Sequence, residues 1–390
     1  MPMQTSRELQ DYATALRDWS VKQCRPYARE VDRNHGFPEE WPKILEASTV
    51  PLGLPGREPV PDFGDGYWVT RLAYYEAISY GDMWGLYGIA NGIGHLVVKS
   101  VGTEEQIERW YDPVEPNGWI TGFALTEPHF GSDTSLVATT AVREGDEWIL
   151  NGSKIYCSYG SVADYIVVFA TIDKSAGGRG IRAFIVEGGT PGLVVTKANE
   201  DKLGLRAWPT TALSLDDCRI PVDHALGWKD GELAPTLRGQ ASALATLALN
   251  RPNIAAMAIG TAQAAIDVTA EILNDQEAEF TTQRWGAVTK ELAAMNATLE
   301  RGRLVARSAQ SLLDSGVNDR TAAAAAKAYI PESCERIVLR CLQLLGPEAT
   351  GESLLLEKWY RDLKILDIFE GSGEIQRLII ARALSGSVAS

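Results

Sequence analysis

The stretch WILNGSKIY, residues 148–156, marks the point where the chain changes character. Two arms rich in strand-forming residues flank the pair Asn151-Gly152, a strong hairpin signal. The segments ADYIVVFATID (163–173), RAFIVEGGTPGLVVTKA (182–198) and TTALSLDDCRIPVD (210–223) continue at a period of two, with turn residues between them. Residues 119–230 therefore read as a mostly antiparallel β domain. Upstream, LQDYATALRDWSVKQCRPYAREVD (9–32) places apolar residues three and four apart, as helices do, and PLGLPGREPVPDFGDGY (51–67) is loop. A further helix runs through ANGIGHLVVKSVG (90–102), and Thr103 with Gln106 forms a capping box for the next one. Downstream, RPNIAAMAIGTAQAAIDVTAEIL, LAAMNATLERGRLVARSAQSLL, TAAAAAKAYIPESCERIVLRCLQLL and IQRLIIARAL read as four helices, enough for a bundle. The expected fold class is α+β: an N-terminal helical domain (1–118), the central antiparallel β domain (119–230) and a C-terminal four-helix bundle (231–390).

Composition narrows the function. The chain has 390 residues, 45% apolar and 23% charged, an ordinary globular balance. A formal net charge of -14 argues against nucleic acid or an anionic membrane surface as partner. No uninterrupted apolar run reaches the roughly 20 residues that span a bilayer, so no membrane insertion is expected. The polar N-terminus does not resemble a signal peptide. The five cysteines are scattered without CxxC spacing, and the four histidines are dispersed. Together these favour a reducing, cytoplasmic setting and give no metal site.

Five motifs carry chemistry. FALTEPHFGSD (123–133) is a strand running into a polar loop, where backbone N–H groups, Thr126 and Ser132 could bind a flat heterocycle and a phosphate. In KIYCSYG (154–160), Tyr156 is either a sheet-face aromatic or a ring that stacks on a cofactor, with Ser158 beside it. KLGLRAWPTT through CRIP (202–221) is most simply a hairpin. Arg251 is either a first-turn charge opening its helix or a phosphate contact. Last comes YRDLKILDIFEGSGEIQR (360–377), where Glu370 lies between an aromatic and two glycines. Read alone, Glu370 is a solvated turn charge or a base held where water is scarce.

These five motifs, in this order and over nearly the whole chain, resemble the acyl-CoA dehydrogenase family. The resemblance implies an oxidoreductase of fatty acid or lipid metabolism that binds FAD without a Rossmann turn, usually as a dimer of dimers. It implies that Glu370 is the base for the α-proton of an acyl-CoA thioester while the β-hydride passes to the flavin. Burial beside Phe369 would raise the pKa of Glu370, and Gly371 would let backbone approach the ligand. Residues matching the family's flavin contacts are Phe123, Leu125, Thr126, Gly131, Ser132, Tyr156, Ser158, Ser372 and Glu374. On the substrate side are Ser132, Arg251, Phe369 and Gly371. A helix near Trp84 to Val97 would line the acyl pocket with Leu86, Ile89 and Ile93, favouring an apolar acyl group; Trp84, Tyr87 and Trp208 are shape-giving or core aromatics. His129 reads as a loop residue. Some family members place the base just before the arginine matching Arg251; here that position is Asn250, which cannot serve.

Two departures concern the neighbour-facing grip on FAD. Gln276 stands where the family carries an arginine, and QLLGPEA (343–349) keeps only Gln343 and Gly346 of a glycine-rich element. The implied assembly is therefore a homotetramer or an α2β2 heteromer with a related subunit. The implied electron acceptor is an electron-transfer flavoprotein. A thioester oxidase, a carrier-protein dehydrogenase and a non-catalytic assembly subunit are the alternatives.

Overall fold

The computed structural model describes residues 5–54, 57–87, 89–234 and 239–386. Eight helices come first: α1 (Arg7–Gln23), α2 (Ala28–Asn34), α3 (Trp41–Glu46), α4 (Tyr67–Gly81), α5 (Trp84–Tyr87), α6 (Gly94–Val101), α7 (Glu104–Trp110) and α8 (Val114–Asn117). Strands β1 (Thr121–Ala124), β2 (Thr140–Glu144), β3 (Glu147–Ser158), β4 (Tyr165–Thr171), β5 (Ile181–Glu187), β6 (Leu193–Lys197) and β7 (Thr210–Pro221) form one sheet. A small ribbon, β8 (Trp228–Lys229) and β9 (Glu232–Leu233), leads to α9 (Gly239–Asp275), α10 (Thr282–Asp314), α11 (Arg320–Leu345), α12 (Leu356–Ile368) and α13 (Gly373–Leu384). The helical, β, helical order is the expected one. The C-terminal part adds α12 to the four helices anticipated, and α4 packs against α9 and α10.

The sheet runs β1-β4-β2-β3-β7-β6, with β5 beside β4. Pairs are antiparallel except β1–β4 and a single β2–β4 contact. Asn151-Gly152 is not a hairpin turn. It lies inside β3, at a register shift between Leu150 and Gly152, and the turn is at Gly145 and Asp146. The glycine answers a packing need instead: a Cβ there would come within 2.4 Å of Thr139 Oγ1. KLGLR is likewise not in a strand. It sits in the connection 198–209 between β6 and β7, while CRIP ends β7.

Three apolar clusters hold the molecule. One joins α1 and α4 to α9 through α12, so both sets of helices share a single core. The other two lie on opposite faces of the sheet, one of them covered by Val97, Val98 and Trp110 from α6 and α7. All five cysteines are buried free thiols. The capping box of Thr103 and Gln106 forms with both of its hydrogen bonds. Helix α9 is long and apolar enough to cross a membrane by length and composition, contrary to the reading of short apolar runs. Yet 67% of that window is buried inside the protein, as in a core helix.

Two local expectations change. Arg251 does not open its helix but lies about three turns inside α9, buried at 1% exposure. The expected helix near Trp84 to Val97 is two short helices, α5 and α6. The chain breaks between them because Gly92 and Gly94 press on the backbone of β1: a Cβ on Gly92 would meet Thr121 O at 1.9 Å.

Candidate active site

Helix α12 ends at Ile368, and Glu370 then takes a left-handed conformation (φ 58°) before Gly371 (φ 91°) and the N-cap Ser372 of α13. The glycines are needed because the motif folds onto itself. A Cβ on Gly371 would meet Gln376 Nε2 at 2.6 Å, and one on Gly373 would meet Asp367 Oδ1 at 2.6 Å. Side chains from three helices hold the carbonyls of this corner. Lys327 Nζ on α11 donates to Asp367 O (3.2 Å) and Gly371 O (3.5 Å), Arg251 Nε on α9 donates to Glu370 O (3.1 Å), and Gln376 Nε2 on α13 donates to Gly371 O (2.9 Å).

The carboxylate itself is held at one oxygen. Asn250 Nδ2 donates to Glu370 Oε1 at 2.6 Å, while Oε2 is buried without a partner among the described residues. Burial raises the Glu370 pKa above the ordinary carboxylate value, against the Asn250 hydrogen bond and the charges of Arg251 and Lys327. The same desolvation lowers Lys327 to about 8 and Arg251 to about 10, each opposed by the Glu370 charge. A carboxylate short of solvent with one free oxygen is equipped to accept a proton, and the two cations beside its backbone temper that basicity.

Helix α12 is fixed in turn by a buried ionic cluster. Lys358 bonds Asp82 at the end of α4 and lies 2.8 Å from Asp362 Oδ2, with all three side chains at or below 3% exposure. Trp359 Nε1 donates to Asp82 Oδ2 (2.9 Å) and Leu205 N to Asp362 Oδ1 (2.7 Å). Gly204 lies flat on α12, where a Cβ would meet Arg361 C at 2.4 Å. The KLGLR segment thus ties the β domain to the helix that leads into the Glu370 corner. From the sheet side, Tyr159 N donates to Pro209 O at 3.0 Å, and the Tyr159 and Trp208 rings meet edge-on.

The β-domain residues form an open edge. Glu127 closes the loop that follows β1: it accepts from Ala138 N (2.8 Å), Thr139 N (2.9 Å) and buried Lys154 Nζ (2.8 Å). Burial lowers Lys154 to about 8, with Glu127 opposing. The loop beyond the clamp carries exposed Gly131, Ser132 and His129. Thr126 O accepts from Ile155 N at 2.9 Å, which brings Leu125 and Thr126 beside Tyr156 and Ser158 on β3. Tyr156 is 60% exposed, at φ 56° in a second register shift of β3, and Ser158 is exposed two residues on. Phe123 packs on Phe169, ring centroids 5.0 Å apart. Gln240 near the start of α9 donates to Thr134 Oγ1 (3.0 Å), so this loop also touches the bundle.

Other site residues are placed apart. Gln343, which accepts from Arg340, and Gly346 (φ 70°) lie at the C-terminal end of α11. At 1.5 Å per residue Gln343 is about 24 Å from Lys327 and hence from the Glu370 corner. Leu86 is buried in the helical core at 1% exposure, whereas Ile89 and Ile93 are half-buried. The Tyr87 side chain lies outside the described residues. Phe369 is half-buried, with Lys327 Nζ 6.0 Å from its ring centroid. Glu374 is exposed in the first turn of α13. The sequence reading did not find Lys327, Gln376, Lys358 or the Asn250 contact. Gln376 lay in one of the five motifs and Asn250 was weighed only as an alternative base; Lys327 and Lys358 carry no local signal.

Known proteins place this geometry in context. Profiles described as acyl-CoA dehydrogenase N-terminal, middle and C-terminal domains match residues 6–114, 122–218 and 238–385. The mitochondrial short-chain specific acyl-CoA dehydrogenase of Bos taurus is 36% identical over 380 residues, covering 96% of this chain and 89% of its own length. Butyryl-CoA dehydrogenase from Megasphaera elsdenii superimposes with a TM-score of 0.86 at 27% identity, covering 99% of this chain and all of that one. A glutaryl-CoA dehydrogenase from Mycobacterium smegmatis, solved with FADH2, shares the fold (TM-score 0.82, 24% identity, 98% and 96% covered).

Proposed function

Because this chain belongs to the acyl-CoA dehydrogenase family, we propose that it is an FAD-dependent oxidoreductase that dehydrogenates an acyl-CoA thioester between its α and β carbons, with Glu370 as the base. The observation that carries this reading is the Glu370 carboxylate: desolvated, held at Oε1 and free at Oε2. A carboxylate in water is too weak a base for a carbon acid, and the raised pKa narrows that gap.

The β-domain edge fits the cofactor. Tyr156 offers an exposed ring, Ser158 and Thr126 offer hydroxyls beside it, and the loop closed by Glu127 offers Ser132 and exposed backbone near Gly131 for a phosphate. When bound, FAD supplies the acceptor for the β-hydride. The chain's own residues do the rest. Arg251 and Gln376 fix the corner's carbonyls, Gly371 admits the thioester close to backbone, and Glu370 Oε2 takes the α-proton. Phe369 keeps water from the carboxylate, and half-buried Ile89 and Ile93 favour an apolar acyl group.

The assembly reading follows from the separation along α11. Gln343 and Gly346 lie too far from Glu370 to serve the same flavin, which supports a neighbour-facing role in a homotetramer or an α2β2 heteromer. The acceptor of this reading is an electron-transfer flavoprotein, and its setting a reducing cytoplasm. The test is Glu370→Gln, titrated anaerobically with short, branched, aromatic and steroid-sized acyl-CoAs. The variant is expected to keep FAD and reduce it at least about 100-fold more slowly. Wild-type bleaching by that variant would sink the assignment.

A further inference from the structure

Behind Glu370 runs a chain of buried side-chain amides. Gln310 on α10 donates through Nε2 to Asn253 Oδ1 (2.9 Å), Asn253 Nδ2 donates to Asn250 Oδ1 (3.1 Å), and Asn250 Nδ2 donates to Glu370 Oε1 (2.6 Å). Gln310 and Asn253 are at most 1% exposed and Asn250 is 9% exposed, so no water competes for these bonds. Asn250 and Asn253 are three residues apart on α9 and share one of its faces. Three amides are a costly filling for a helical core, and their single direction gives them a use.

The direction follows from the carboxylate. An ionised carboxylate only accepts hydrogen bonds, so Asn250 must turn its NH2 toward Oε1. That leaves Asn250 Oδ1 to accept from Asn253, and Asn253 Oδ1 to accept from Gln310. The order ends at Gln310 Oε1, which is buried without a partner among the described residues. A proton arriving on Oε1 would meet the NH2 of Asn250 and would require all three buried amides to flip. A proton arriving on Oε2 requires no movement.

We propose that Asn250, oriented by Asn253 and Gln310, is a positioning residue that pins Oε1 of Glu370 and reserves Oε2 as the atom that receives the α-proton. The inference rests on the reading of Glu370 as the base. It assigns to α9 and α10 a part in setting how readily that base ionises. The charged groups facing Glu370 are Arg251 on α9 and Lys327 on α11; Asp367 on α12 and Glu374 on α13 face Lys327 in turn, and Arg320 lies near Arg251. None of them forms a hydrogen bond to Oε1 among the described residues.

The test uses the flavin-loaded protein with butyryl-CoA as probe. It compares wild type with Asn250→Leu, Asn250→Asp, Gln310→Leu and Glu370→Gln. Two quantities are followed against pH: the rate of flavin bleaching and the infrared carboxyl band that disappears in Glu370→Gln. Losing a donor to the charged form raises the pKa of a base, so Asn250→Leu should move the acid limb and the band's midpoint up by about one pH unit. That is about a tenfold slower reduction on the limb. Asn250→Asp should move both further, since two carboxylates then share one site. Gln310→Leu should move them the same way by less, and it carries the test if Asn250→Leu fails to load flavin. An unshifted limb and band in these variants, with Glu370→Gln inactive, overturns the proposal. Wild-type bleaching by Glu370→Gln would instead overturn the base assignment on which it stands.

Discussion

Glu370 and Tyr156 share an unusual backbone: neither is glycine, yet both sit at positive φ, 58° and 56°. Such a conformation costs on the order of 1 kcal/mol or more and persists only where the surroundings impose it. The surroundings differ. At Glu370 three helices supply side-chain donors to the carbonyls of Asp367, Glu370 and Gly371, and Oε2 of the half-buried side chain is shut off from solvent. At Tyr156 a bulge between buried Lys154 and Cys157 turns the ring outward, where most of it faces solvent. One strained residue is walled in by its own chain; the other is held out toward something else. The difference fits the two proposed roles: a base needs its environment fixed before substrate arrives, whereas a stacking ring needs only to be presented.

The comparison can be broken or sharpened by four changes. Lys358→Met strands Asp82 and Asp362 as buried carboxylates without their cation. Stability should fall by about 3–5 kcal/mol in denaturant melts, and flavin reduction should slow because α12 no longer fixes the corner. Gly371→Ala adds positive-φ strain and pushes Gln376 from its carbonyl. The expected loss is about 1–3 kcal/mol, with kcat reduced more than KM is raised. Glu370→Gln goes the other way. A raised folded pKa means that Glu370 favours folding below its unfolded pKa, and that this contribution is lost as pH rises through the folded pKa. Glutamine stays neutral, so the variant should melt above wild type by about 1 kcal/mol at pH 7, and the gap should close on acidification. Tyr156→Ala should change stability by less than about 0.5 kcal/mol while weakening FAD about tenfold, read by equilibrium dialysis. A large stability loss there would show that the ring supports the sheet instead.

Much of this was legible in the sequence, and the limits were physical. The change of period at Trp119 and its reversal near Gly231 marked the strands and helices, because periodicity reports which face is buried. The corner at Glu370 and its glycines was legible as a turn because it is local, while the choice between a solvated charge and a base came only from the resemblance. Asn151-Gly152 misled because glycine serves a close approach to Thr139 as well as it serves a turn, and the pattern is the same in both cases. Arg251 misled because the proline after it suggests a helix start, although Pro252 lies inside α9. Lys327, Lys358 and Asp82 were invisible for a different reason. Each bonds across long stretches of chain, 276 residues for Lys358 to Asp82, and only the folded helices bring them together.

The buried thiols give the two architectures separate clocks. Cys157 and Cys218 lie in one core of the sheet, while Cys24, Cys334 and Cys341 lie in the core shared by the helices. Burial pushes every one of these thiols up, Cys157 to about 12 and Cys218 and Cys341 to about 11, so none is reactive while its core is closed. Alkylation followed peptide by peptide would therefore record when each core opens, with no label introduced. If Cys218 is modified ahead of Cys334, the sheet opens while the helices that hold Glu370 remain shut.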